Sequence, residues 1–189
     1  MRVIGGTARG RRLSAPGLPA LRPTSDRVRE AIFDILEARS LVEGAAVLDV
    51  FAGSGALGIE ALSRGAASAT FLESDRRAVA AIEANLRSAG LEGPAARVVR
   101  ADALDWLAAH PGSEGRFDVA FVDPPYRFEA WPALLRRLRA ATLVLEHGAP
   151  IEVTGGYEVI RRYRYGGTLV TLAAVHQGGR LHDTDEDPA

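Results

Sequence analysis

The chain contains no cysteine and no lysine. Without thiols there are no disulfides and no thiolate metal ligands. The four histidines (His110, His147, His176 and His182) show no metal-ligand spacing, so a metal-free protein is expected. Without lysine, arginine carries every one of the 23 basic charges, so residue type alone says nothing about phosphate recognition and only clustering is informative. No apolar run approaches the roughly 20 residues that cross a bilayer. Met1-Arg2-Val3-Ile4-Gly5-Gly6 also lacks the apolar stretch of a secretory signal. A cytoplasmic protein without a membrane partner is expected, and a monomer.

The net charge of −1 excludes a uniformly basic nucleic-acid binder but conceals an asymmetry. Residues 1–30 hold seven arginines (Arg2, Arg9, Arg11, Arg12, Arg22, Arg27 and Arg29) against Asp26 and Glu30. The stretch Asp183–Asp187 holds four acids in five residues and is expected to be disordered. At 189 residues the chain can bury one sizeable core. The expected organisation is a basic leader over 1–25, one catalytic domain over 26–178 and an acidic tail over 179–189.

Hydrophobic periodicity gives two short leader strands, Arg2–Ile4 and Arg11–Leu13, then a helix with Val28, Ile32, Ile35 and Leu36 on one face, capped by Thr24 or Ser25. Strands then alternate with helices. The strands are Ala45–Phe51, Ala69–Leu72, Arg97–Arg100, Asp118–Val122 and Leu143–Glu146. The helices run from the glycine loop to about Arg64, over Arg76–Ala89, Ala103–Ala109 and Glu129–Arg139. Two last strands, Glu158–Tyr165 and Thr168–Val175, flank Gly166-Gly167, a hairpin signal. The pattern is that of an α/β protein with a mostly parallel sheet and an antiparallel edge.

The strand Asp118–Val122 runs into Asp123-Pro124-Pro125-Tyr126. A carboxylate and the carbonyl that follows can accept hydrogen bonds from an exocyclic amine, the prolines fix those acceptors, and the aromatic ring can stack on a flat base. Such an amine is a poor nucleophile because its lone pair is delocalised, and drawing on its N–H bonds turns that lone pair toward an incoming methyl group. As four isolated residues, the same stretch is also an ordinary turn.

Gly53, Gly55 and Gly58 form a G-x-G-x-x-G loop, and Glu73 follows Gly53 by 20 residues, where it can bind a ribose diol. That arithmetic also fits a dinucleotide reductase. Three features favour S-adenosylmethionine instead. Asp49 lies just ahead of the loop and can organise contacts to the cofactor's charged amino-acid end. Asp102 suits an adenine amine, and a base-amine motif has no use in hydride transfer. The remaining arginine runs have plain alternatives. Arg136, Arg137 and Arg139 read as a solvated helix face, while Arg161, Arg162 and Arg164 read as edge-protecting charges or an RNA contact. Trp106 and Trp131 read as packing residues and His147 as a loop histidine.

Longer segments carry a resemblance. Met1–Gly6 with Arg9-Gly10-Arg11-Arg12-Leu13, Arg22-Pro23-Thr24-Ser25-Asp26-Arg27-Val28-Arg29-Glu30, the block Leu48–Ala66, and Val122–Tyr126 resemble the RsmD family of bacterial ribosomal RNA guanine-N2 methyltransferases. The resemblance covers roughly residues 1–147, and the Pro-Pro-Tyr motif alone is shared with adenine-N6 and protein-glutamine methyltransferases. It implies a Rossmann-like class I methyltransferase with a seven-stranded sheet and a small N-terminal β-hairpin extension. The implied acceptor is one guanine amine in 16S ribosomal RNA, in an assembled or partly assembled small ribosomal subunit. Carried over by position, the cofactor would be held by Asp49, Phe51, Ala52, Gly53, Gly55, Glu73, Ser74, Asp102, Ala103 and Thr24. Asp123, Pro124 and Tyr126 would act on the base. Arg9, Arg11, Arg12, Arg22 and Arg27 would contact RNA, and the segment Arg22–Arg29 would border the active site. An amine methyltransferase acting on DNA adenine or a protein glutamine, and a cofactor-binding ribosome-assembly factor, remain the alternatives.

Overall fold

The computed structural model describes residues 1–15, 26–111, 117–125 and 127–176. Five helices and seven strands alternate along the chain. They are α1 (Asp26–Glu37), β1 (Ala46–Val50), α2 (Ala56–Ser63), β2 (Ser68–Glu73), α3 (Arg76–Ala89), β3 (Ala96–Arg100), α4 (Ala103–Ala109), β4 (Phe117–Val122), α5 (Trp131–Arg137), β5 (Ala140–His147), β6 (Tyr157–Tyr165) and β7 (Thr168–Val175). The strands form one sheet in the order β3-β2-β1-β4-β5-β7-β6. β1 to β5 are parallel, and β7 pairs antiparallel with both β5 and β6. Two antiparallel pairings in succession leave β6 running in the same direction as β5.

The central strands are apolar on both faces because helices cover both. Val47, Val119, Phe121 and Val144 pack on one side with Ile32 and Phe33 of α1, Ile59 of α2 and Ile82 of α3. Leu48, Val50, Ala120, Val122 and Leu145 pack on the other side with Trp106 and Leu107 of α4 and Leu134 and Leu135 of α5. Local chemistry sets several element ends. The Asp75 carboxylate accepts the N–H groups of Arg77 and Ala78 at the start of α3, and Gly90 closes that helix in the left-handed conformation.

Three sequence expectations need correction. Helix α5 is shorter than Glu129–Arg139. Strand β5 starts at Ala140 rather than Leu143, because Ala140 pairs with Phe117 and Thr142 with Val119 on β4. Tertiary pairing there overrides the poor strand preference of alanine. The same extension brings His147 into β5, where it is buried and not a loop residue: one ring nitrogen lies 2.7 Å from the Ala149 carbonyl and the other 2.9 Å from the Thr171 hydroxyl. In the leader, the two expected strands reduce to a single bridge, Arg2 with Arg12. The expected cap at Thr24 or Ser25 and the acidic tail lie outside the described residues.

Candidate active site at the carboxyl ends of the parallel strands

Strand β1 delivers Asp49 and then turns sharply. Phe51 takes a left-handed conformation (φ 62°), a costly one for a bulky side chain and a common signature of a functional loop. Its ring meets that of Phe128 edge-on at 5.2 Å. The loop after β1 is thereby tied to the loop after β4, which is itself closed by the Phe128 N–H donating to the Pro125 carbonyl at 2.9 Å.

The three glycines that follow have different physical reasons. A Cβ at Gly58 would lie 2.3 Å from the Phe71 ring, so this glycine lets α2 lie against β2. One at Gly55 would meet Ile82 at 3.1 Å, and Gly55 also needs its φ of 77°. Gly53, at φ 56°, faces almost nothing: the nearest heavy atom to its Cβ position is the Phe51 carbonyl oxygen at 3.9 Å. Packing within the chain explains Gly58 and Gly55, whereas Gly53 leaves open a cradle that a ligand can occupy. Ala52 beside it is buried, and its N–H donates to the Leu72 carbonyl at 3.0 Å.

Acidic side chains ring this cradle. Asp49 is buried, and one of its oxygens accepts the Gly58 N–H at 2.9 Å. Burial pushes its pKa up to about 8, against the lowering effect of that hydrogen bond, and the nearby carboxylates of Asp123 and Glu73 push in the same direction as burial. Glu73 ends β2 and accepts the Gly53 N–H through one oxygen and the Asp75 N–H through the other, both at 2.8 Å. It therefore holds the glycine loop in place while its remaining lone pairs stay available to hydroxyl donors. Asp102 caps α4 through Oδ1 alone, accepting the N–H groups of Leu104 and Asp105. Ser74 is exposed beside Glu73 and Ala103 is buried at the start of α4. Asp123 and Pro124, both half-buried, lie immediately past β4. Asp49, Glu73 and Asp123 thus gather at adjacent strand ends, where open α/β sheets bind ligands. Tyr126, Thr24 and Arg22 lie outside the described residues.

The leader is firmly attached to this scaffold. Val3, Ala8 and Leu13 join the core. Glu60 of α2, fully buried, accepts the N–H groups of Ile4 and Gly5 at 2.8 and 2.7 Å and the Arg64 Nε at 2.8 Å. Ser63 donates its hydroxyl to the Gly5 carbonyl at 2.6 Å and accepts the Ala8 N–H at 2.9 Å. Asn85 of α3 exchanges two hydrogen bonds with the backbone of Ser14 and donates a third to the Ser54 carbonyl, so one amide joins the leader to the glycine loop. Arg9, Arg11, Arg12 and Arg27 remain exposed, as an RNA-contacting role requires. Arg29 corrects the sequence expectation. It is fully buried, donates to the Arg2 carbonyl and to Asp26, and its Nε lies 3.6 Å from Glu60. It anchors the leader and does not border an open site.

Sequence reasoning missed Glu60, Asn85 and Arg29. A signal existed for two of them. Glu60 interrupts a helix that is apolar on every side, and Arg29 falls on the Val28–Ile32–Phe33–Leu36 stripe of α1.

Strand order, glycine loop and strand-end carboxylates together define the class I methyltransferase fold. Within that class the chain belongs to the family described as Conserved hypothetical protein 95, which matches residues 1–173 and corresponds to the RsmD resemblance of the sequence. It is 48% identical over 127 residues to ribosomal RNA small subunit methyltransferase D of Escherichia coli K12, covering 67% of this chain and 61% of that protein. The chain thus matches only about three-fifths of the length of that relative. YlbH of Bacillus subtilis, which carries a provisional rRNA methyltransferase name, is 37% identical over 182 residues, covering 91% of this chain and 97% of YlbH. The solved structure of yhhF from Escherichia coli superposes with a TM-score of 0.79 at 37% identity, covering 94% of this chain and 99% of that one.

Proposed function

We propose that the protein transfers a methyl group from S-adenosylmethionine to the exocyclic N2 amine of a guanine in small-subunit ribosomal RNA, within an assembled or partly assembled subunit. The observation that carries this reading is the placing of Asp123-Pro124 beside a cradle that combines an open Gly53 with a buried carboxyl group, Asp49, whose pKa burial raises to about 8. The names of its relatives, which specify ribosomal RNA of the small subunit, support the substrate class.

The residues present fit the cofactor. Asp49 is a buried acid with no cation beside it among the described residues, and a sulfonium and an ammonium would supply the missing positive charge. Gly53 and Gly55 would let it approach the backbone, Glu73 would take the ribose hydroxyls, and Asp102, with Ser74 and Ala103 beside the ring, the adenine amine. When bound, the cofactor supplies an electrophilic methyl group. The Asp123 carboxylate and the Pro124 carbonyl would accept the two N–H bonds of the guanine amine and aim its lone pair at that methyl group. Asp123 would also receive the proton that the amine sheds after transfer. Tyr126 would offer its ring to a base flipped out of its stack.

The test is transfer of labelled methyl to small ribosomal subunits from a strain lacking the corresponding gene, with naked ribosomal RNA and duplex DNA alongside. N2-methylguanosine from the subunits, and a loss of about 100-fold or more in rate for Asp123→Asn, is the expected result. Methyl on adenine or on protein overturns the substrate. Cofactor binding without transfer to any acceptor overturns the enzyme and favours a binding factor.

A further inference from the structure

The edge strand β6 carries three arginines in four positions, Arg161, Arg162 and Arg164, all exposed, and none makes an ion pair among the described residues. β6 ends the sheet, so its outer edge has no strand partner among the described residues. Charge on an edge strand ordinarily deters pairing with another chain. Here that need is already met. The register breaks between Val159 and Arg161, a bulge that disrupts edge pairing by itself. Deterrence would also work with either sign, yet all three charges are positive on a chain whose net charge is −1.

Their position relative to the catalytic strand is the second observation. Val122, the residue before Asp123, lies level with Leu145 on β5. Leu145 lies level with Thr171 on β7, and Thr171 with Arg162 on β6. Arg162 is therefore three strand spacings, about 14 Å, from the start of the Asp-Pro-Pro loop. Because β6 runs in the same direction as β5, Arg164 and the Gly166-Gly167 turn lie still further toward the catalytic end. Arg162 shares a sheet face with His147, whose pKa is lowered by burial and, in smaller part, by the Arg162 charge. Arg161 is held differently, with its guanidinium over the Tyr163 ring at 5.9 Å. The basic leader sits on the other flank, against α2 and α3, which cover β1 to β3. In strand order, β4 with Asp123 at its end lies between β6 and the strands that α2 and α3 cover.

We infer that β6 is a second RNA-contacting surface, on which Arg162 and Arg164 hold phosphates of the ribosomal RNA strand flanking the acceptor base. The leader grips RNA on one side of the flipped nucleotide and β6 on the other. This rests on the ribosomal RNA reading above. Arginines that neutralise phosphates release counterions, so each contributes to the salt dependence of binding and not to sequence choice.

The experiment compares the wild-type chain, R162Q/R164Q and a charge-matched control, R39Q/R87Q, whose arginines are exposed on the segments that lead into the amino ends of β1 and β3. Binding to unmethylated small ribosomal subunits is measured from 50 to 200 mM salt, together with methyl transfer and S-adenosylmethionine affinity. For R162Q/R164Q the slope of log affinity against log salt falls by about 2, and KM for the subunits rises, while cofactor affinity matches wild type. The control keeps the wild-type slope. A slope and KM unchanged in R162Q/R164Q, in a wild-type background that binds and methylates, overturn the surface while leaving the function standing. The same holds if R162Q/R164Q self-associates on size-exclusion chromatography without losing subunit affinity, which would assign the arginines to edge protection. A wild-type chain that neither binds nor methylates the subunits overturns the proposed function and this surface with it.

Discussion

In its proposed role, Asp49 makes cofactor binding a proton-linked event. Its carboxyl group is buried, sees two further acids, and holds its proton up to about pH 8. A cofactor carrying a sulfonium and an ammonium favours the ionised form, so binding lowers the Asp49 pKa and expels the proton. Below pH 8 the ionised fraction rises close to tenfold per pH unit, and the affinity of an ion-selective site rises with it. Between pH 6.0 and 7.0, where the ammonium of the cofactor stays mostly protonated, S-adenosylmethionine affinity should rise by roughly tenfold. Titration calorimetry in two buffers of different ionisation enthalpy should report release of close to one proton at pH 7. Asp49→Asn, which cannot ionise, should flatten the profile. The folded state without cofactor has the opposite dependence. A carboxyl whose folded pKa lies above its unfolded value binds more protons when folded, so its contribution favours the folded state at low pH and is lost as pH rises from about 4 to 8. An affinity that stays constant over the range, with heats independent of buffer, would refute the reasoning.

The glycines and the buried acid of α2 give separable outcomes. Gly53→Ala should cost about 1–2 kcal/mol for its left-handed backbone and lower cofactor affinity first. Gly58→Ala, driven against Phe71, should cost about 1–3 kcal/mol and appear first in the melting temperature. Thermal melts and calorimetry on both variants check the order, and a reversal would reassign the two positions. Glu60→Ala removes the acceptor for two leader N–H groups and for the Arg64 Nε, and takes the buried carboxylate away from Arg29, leaving Asp26 and Glu37 as their remaining acidic partners. It should destabilise the protein by about 3–5 kcal/mol in urea titrations, and a loss under 1 kcal/mol would show that the leader is held by its apolar residues alone.

What could be read in advance was what the chain encodes locally. Helix α3 starts at an aspartate cap and stops at a left-handed glycine, and both marks are explicit in the sequence. The glycine loop and the strand-end acids were equally legible, because their spacing follows from the strand-turn-helix unit. The start of β5 was not, since Ala140 becomes a strand residue only by pairing with Phe117, a partner on another strand. Asn85 is the clearest case of information that only the fold supplies. Nothing near it in sequence indicates that its amide meets Ser14 and Ser54, which lie 71 and 31 residues before it in the chain. The separate purposes of Gly53 and Gly58 likewise needed the positions of their neighbours.

The anchoring of the leader also bears on how the chain folds during synthesis. Its ties to Glu60, Ser63 and Asn85 close loops of 55 to 71 residues. Closure entropy grows slowly with length, about 0.6 kcal/mol per doubling, so these ties cost nearly the same and each one formed makes the others cheap. The leader should therefore lock as a unit. Asn85 follows Ser14 by 71 residues, so the leader cannot complete its docking until roughly 4 to 14 seconds after it is made, at 5–20 residues per second. Over that interval the leader lacks the amide tie that joins it to the glycine loop. A chain interrupted before α3 would keep the leader's ties to Glu60 and Ser63 but lack the one amide that joins it to the glycine loop.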